Sequence, residues 1–143
     1  MEPKQDRDVT ALPPIMRAPV VAWLAAVQKR VPHVEFRVAE ALRTKERQAW
    51  LYAQGRREPY LDSPEVTWTM QSKHRWGLAL DWFMVRPSGQ VIWEVSSFKW
   101  IYKVVPPEPY GLRNIAPAEW MHVEHVFADE IIEGADRFGI VQH

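Results

Sequence analysis

The 143-residue chain contains no cysteine. Disulfides and thiolate metal sites are therefore excluded, and any metal must be held by histidine, aspartate or glutamate. It also lacks net charge: eighteen basic residues balance eighteen acidic ones. No overall field draws the protein to nucleic acid or to an anionic surface, so no nucleic-acid partner is expected. No apolar run approaches the roughly 20 residues that span a bilayer, and no stable membrane insertion is expected. The opening MEPKQDRDVT is polar and has no apolar segment of a secretory kind, so synthesis in the cytoplasm as a soluble protein is expected. Internal repeats and low-complexity tracts are absent as well.

What is present is a core. Hydrophobic residues make up 47% and charged residues 25% of the chain, ordinary values for a globular protein. A chain of this length buries roughly 68–70% of its unfolded surface in a single domain. Residues 1–14, with three prolines and many charges, read as a loose N-terminal arm before one domain over 15–143. From Pro19, the spacing of Val20, Trp23, Leu24, Val27 and Val31 predicts an amphipathic helix ending near Pro32. Alternation in VEFRV predicts a strand, and Thr44 is placed to cap a helix that stops at Gly55. Further strands are expected at VTWTM, from Leu78 to Arg86 with a hairpin return through QVIW, and at WMHVEHVF. A short helix is expected from Ser97 to Val104, and a partly helical tail at the end. The class is α+β, a small and mainly antiparallel sheet with helices packed on it.

Chemistry is concentrated in SKHRWGLALDW and EWMHVEH. In the strand from Leu78, Asp81 shares a face with Ala79 and Phe83, opposite Leu80 and Trp82. His74 lies just before it, and Gly77 is a point where the chain can fold back. In the second segment strand parity puts Trp120, His122 and Glu124 on one face. His122 can complete a His/Asp/His set, which leaves the fourth position of a tetrahedral zinc open, with Glu119 beside it as a general base. Spacing alone leaves this open: a His and an Asp seven positions apart are commonly unrelated surface or core residues. His125 is the rival ligand if the segment were helical. His33 and His143 lie outside both segments and read as solvent-facing.

SKHRWGLALD resembles the SxHxxGxAxD signature of the zinc D-Ala-D-Ala carboxypeptidase and L-alanyl-D-glutamate endopeptidase family. These VanY-like enzymes have the hedgehog/D-Ala-D-Ala peptidase fold. Ser72, His74, Gly77, Ala79 and Asp81 carry the match. EWMHVE is similar to the family's second signature, and LRTKERQAWLYAQGR to its arginine-bearing turn and helix. The chain departs from the family in the short MQ link before Ser72 and in GLRNIAPA before the second motif, changes that bear on substrate preference.

The resemblance implies zinc held by His74, Asp81 and His122, Glu119 as general base, and Arg43 stabilising the oxyanion. An always-charged, multi-donor guanidinium suits that role. Ser72 and Gln48 would contact substrate, or else brace the loop and the helix surface. Glu124 would support a ligand from behind, and Trp76 and Trp120 would wall the cleft. The implied activity is hydrolysis of peptidoglycan stem peptides, foremost at L-Ala–D-Glu, by a monomer of endolysin type that reaches the wall through a separate pore. The alternatives are a D-Ala-D-Ala carboxypeptidase or dipeptidase, and a non-catalytic zinc-stabilised binding or virion module.

Overall fold

A computed structural model describes residues 1–67 and 69–143. Its centre is β2 (Ala79–Val85), whose alternation buries Leu80, Trp82 and Met84 on one face. Along one edge β2 pairs antiparallel with β1 (Glu35–Glu40). On the other edge it pairs with β5 (His122–His125) at residues 79–81 and with β3 (Val91–Ile92) at residues 84–85. β4 (Leu112–Asn114) lies outside β5, and every pairing is antiparallel. The α+β class expected from the sequence is the class observed.

Helices close the apolar face. The first, α1 (Pro14–Arg30), buries Met16, Val20, Trp23 and Val27 at helical spacing. It starts five residues before the expected Pro19, because Pro14 suits a first turn, with φ already fixed and no amide hydrogen to leave unpaired. Trp23 meets Trp82 edge-on at 5.3 Å between centroids, and its Nε1 donates to Val105 O at 2.9 Å. Phe98 of α3 (Val95–Val104) packs on Trp82 at 5.1 Å. The helix α2 (Lys45–Ala53) buries Arg47 and Gln48, while the short α4 (Ala128–Glu133) contributes Ile131 to the core and α5 (Ala135–Phe138) contributes Ala135. Among the described residues no helix is long and apolar enough to cross a membrane.

Three expectations change. Residues 1–14 lie against the body rather than free: Leu12 is in the core, Ala41 N donates to Asp6 O at 2.6 Å, and Glu2 pairs with Arg47 at 2.8 Å. In VTWTM no strand forms at Val66, Thr67, Thr69 or Met70, and Trp68 lies outside the described residues. The backbone carbonyls there are met by side chains, Thr67 O by Arg56 at 2.8 Å and Thr69 O by Gln48, so no neighbouring strand is needed. The last strand shrinks to four residues, and β4 was not expected at all, being too short to show alternation.

One turn controls the approach to β2. Ser72 caps a 3-10 turn over Lys73–Trp76, and Gly77 ends it at φ +69°. A Cβ there would stand 2.6 Å from Pro13 Cδ. Gly77→Ala is therefore expected to destabilise by about 1–3 kcal/mol, read as a drop in the urea midpoint; an unchanged midpoint would contradict this account of the turn.

Candidate metal centre and cleft

The register of β2 against β5 sets Asp81 opposite His122, and the turn ending at Gly77 brings His74 over both. One donor atom from each of the three residues lies within 4.8 Å of the others. His74 Nε2 is 3.3 Å and His122 Nδ1 is 3.4 Å from Asp81 Oδ1. Those separations are long for a charged hydrogen bond. They match the roughly 3.4 Å edge of a tetrahedron whose corners stand 2.0–2.1 Å from a zinc ion.

The tautomers agree with a cation site. His74 Nδ1 is 3.0 Å from Ala41 O, and a carbonyl only accepts, so the proton sits on Nδ1 and Nε2 offers its lone pair to the centre. His122 Nε2 donates to Glu124 Oε1 at 2.9 Å, which turns Nδ1 inward. Asp81 Oδ1 and His122 Nδ1 are buried with no hydrogen-bond partner among the described residues. Buried polar atoms are rarely left so; here the two orphans face each other at the spot a cation would fill. The residues fit a divalent metal.

Burial alone would raise the Asp81 carboxyl, but the imidazoles beside it, His74 foremost, hold it well below the usual carboxylate range. For His122, burial would lower the imidazole, and the Asp81 and Glu124 carboxylates outweigh it, raising it to about 9. Glu124 is raised by burial but pulled down further, to about 2, by His122, Arg113 and Lys73. Its second oxygen takes Arg113 at 2.9 Å and Lys73 at 3.1 Å.

Glu119 reaches in from the turn before β5, its Oε2 3.5 Å from His122 Nδ1. Burial raises its carboxyl above the ordinary glutamate range. Asn114 of β4 positions that turn, its Nδ2 donating to Glu119 O at 2.8 Å and to His122 O at 2.6 Å. Arg43, on the opposite wall, has Nη2 3.8 Å from Asp81 Oδ2. A cleft of about 570 Å³ takes in Arg43, Ser72, His74, Asp81, Glu119 and His122.

Arg43 is aimed by Glu40. A bulge between Val38 and Glu40 shifts the β1 register so that Glu40, not Ala39, stands opposite Asp81, turning its carboxylate to the metal side of the sheet. Glu40 accepts from Arg43 Nη2 at 2.5 Å and from Arg47 Nε. Glu40→Gln would remove the one fully buried carboxylate that Arg43 and Arg47 share, an expected loss of about 3–5 kcal/mol. Urea unfolding of the metal-free protein measures it, and a loss below 1 kcal/mol would show the clamp to be unimportant.

Gln48 and Trp120 are placed differently from expectation. Gln48 was expected against substrate or on the helix surface; it is fully buried. Its Oε1 accepts from Arg43 at 2.9 Å, and its Nε2 donates to Thr67 Oγ1 at 3.3 Å and to Thr69 O. No surface is left for substrate, and its part is to hold Arg43. Ser72 lines the cleft, with its hydroxyl accepting from His74 N at 3.2 Å. Trp76 lines the cleft, whereas Trp120 lies in a separate hollow with Lys99 5.5 Å from its ring centroid. His125 stands apart from the triad, its Nδ1 accepting from Phe127 N at 3.0 Å. The sequence reading overlooked Glu40, Arg47, Lys73, Arg113 and Asn114. Glu40 and Asn114 sit in segments with no motif, and only their partners across the fold reveal them.

No protein-family model matches the sequence, and no match is found among curated proteins. Solved structures do match. The Serratia marcescens L-Ala D-Glu endopeptidase ChiX superposes with a TM-score of 0.60 at 20% identity, covering 85% of this chain and 86% of that one. VanYB in complex with D-alanine-D-alanine gives 0.58 at 16% identity, covering 94% and 85%. The D,D-pentapeptidase VanY from a VanB-type resistance cassette, in complex with Zn(II), gives 0.56 at 17% identity, covering 85% and 78%. At such identities the likeness establishes the fold. This chain has the VanY-like peptidase fold that the sequence motifs led us to expect.

Proposed function

We propose that the protein is a zinc metallopeptidase that hydrolyses peptidoglycan stem peptides at the L-Ala–D-Glu bond. The observation that carries this reading is the pair of orphaned buried atoms, Asp81 Oδ1 and His122 Nδ1, facing each other beside His74 with Glu119 and Arg43 in the same cleft. A structural metal site would need neither a free carboxylate nor a guanidinium in reach. The zinc-bound VanY structure and the endopeptidase ChiX, which share the fold, support the metal and the substrate class.

His74, Asp81 and His122 would hold the ion, and a divalent cation there supplies Lewis acidity toward a peptide carbonyl and toward water. Glu119 takes a proton from the attacking water as its oxygen bonds to the carbonyl carbon, then passes that proton to the leaving amide nitrogen as the C–N bond breaks. Arg43 donates to the carbonyl oxygen as negative charge develops on it. Glu40 and Gln48 keep the guanidinium from turning away, and Glu124 keeps the lone pair of His122 Nδ1 facing inward.

Digestion of purified sacculi with zinc-loaded protein, followed by mass spectrometry, tests the reading. New D-Glu amino termini that vanish with Glu119→Ala are expected. Release of D-Ala instead would move the activity to a carboxypeptidase, and the absence of any product with zinc bound would overturn the peptidase reading.

A further inference from the structure

Arg47 lies within the segment LRTKERQAWLYAQGR but has no role assigned from it, yet only 4% of its side chain is exposed and it lines the same cleft as His74, Asp81 and Glu119. Its Nε donates to Glu40, the carboxylate already engaged by Arg43. Two guanidiniums thus share one buried carboxylate; Arg43 also has Asp81 Oδ2 at 3.8 Å, and the charge of Arg47 is met from elsewhere. The N-terminal strap meets it: Glu2 Oε1 lies 2.8 Å from Arg47 Nη1, and the Pro3 carbonyl accepts from the same nitrogen at 2.9 Å. A side-chain carboxylate and a main-chain carbonyl on one guanidinium are what an acidic residue of a bound peptide would present. Glu2 is a weak structural counter-ion, because 53% of its side chain is exposed and solvent screens it. Gln5 borders the metal cleft, and a second cavity of about 920 Å³ is lined by Lys4 to Asp8 and Thr44.

We propose that Arg47 is the subsite for a substrate carboxylate, the free α-carboxylate of the γ-linked D-Glu residue, and that Glu2 occupies it as an internal stand-in until substrate displaces the strap. The assignment rests on the peptidase reading above and adds to it the group that is recognised. Glu2 then competes with substrate, so removing its charge affects binding of carboxylate-bearing peptides and not the chemical step.

The test compares the zinc-loaded full chain with its Glu2→Gln variant on two synthetic stem pentapeptides, one with the D-Glu α-carboxylate free and one with it amidated. For the free carboxylate, Glu2→Gln is expected to lower KM about two- to fivefold with kcat unchanged. KM for the amide should stay the same. Arg47→Gln should abolish the preference between the two peptides; if that variant does not fold, the Glu2→Gln comparison decides alone. A lower Tm with both KM values unchanged would make the Glu2 contact a structural tie and overturn the subsite. Equal gains on both peptides would also overturn it, as simple opening of the cleft. If neither peptide is cleaved by any variant, the peptidase reading falls and the subsite with it; continued cleavage distinguishes the first two failures from this one.

Discussion

Glu119→Gln is expected to lower kcat/KM for stem-peptide hydrolysis roughly 100- to 10,000-fold, the range for losing a positioned general base, while zinc content and fold stay intact. The glutamine keeps the shape and the polar contact but cannot accept the water proton. Zinc retention follows from geometry. The donor set is complete without Glu119, whose side chain is 41% exposed and whose Oε2 stands 3.5 Å from His122 Nδ1. For the same reason the metal-free Tm should hardly move. Product formation by mass spectrometry, zinc content by elemental analysis and a thermal scan read the three quantities separately. Activity within tenfold of the parent would remove Glu119 from the proton transfer, and loss of zinc would recast it as a ligand.

The parts of this site that were legible in the sequence are the local ones. Alternation along β2 puts Asp81 on the face away from Leu80 and Trp82, and Gly77 marks the fold-back that brings in His74; both are visible within ten residues of chain. Thr44 caps α2 (Lys45–Ala53) by accepting from Arg47 N at 3.2 Å, a contact three residues long. The rest depends on distant partners. In α2 the buried residues are Arg47 and Gln48, while Leu51 and Tyr52 are only half-buried. A helix is normally read by its apolar stripe, and that rule points the wrong way when the inward face serves a polar cluster. Arg43 stands just before the start of α2, where a cation opposes the helix macrodipole. Glu40, three residues earlier and turned inward by the β1 bulge, supplies the opposing charge. Asn114 was invisible for a different reason: it lies in a three-residue strand between two turns, and its value comes only from the carbonyls of Glu119 and His122 that it gathers.

Stripping zinc with EDTA is expected to lower Tm by roughly 8–16 °C. A ligand at a thousand times its Kd stabilises by about 4.1 kcal/mol, and a chain of this size moves about 2–4 °C per kcal/mol. The size of that gap should depend on pH through His122. In the metal-free cluster its imidazole is raised to about 9, above an ordinary value near 6.5. A raised histidine adds stability that is fully present below about 6.5 and is lost as pH climbs through 9. The metal-free Tm should therefore fall across this window. A zinc ion held by the triad would take the place of that proton on Nδ1, so the contribution would be absent at every pH and Tm should not follow the same decline. The zinc-induced shift should then be smallest near pH 6.5 and grow toward pH 9, and Asp81→Asn should abolish it by removing the donor that both histidines face. Paired thermal scans with and without EDTA at several pH values decide the matter. A gap that stays flat or narrows over the window would show that the ion does not displace the His122 proton and sits elsewhere, and an unchanged gap in Asp81→Asn would locate it outside this triad.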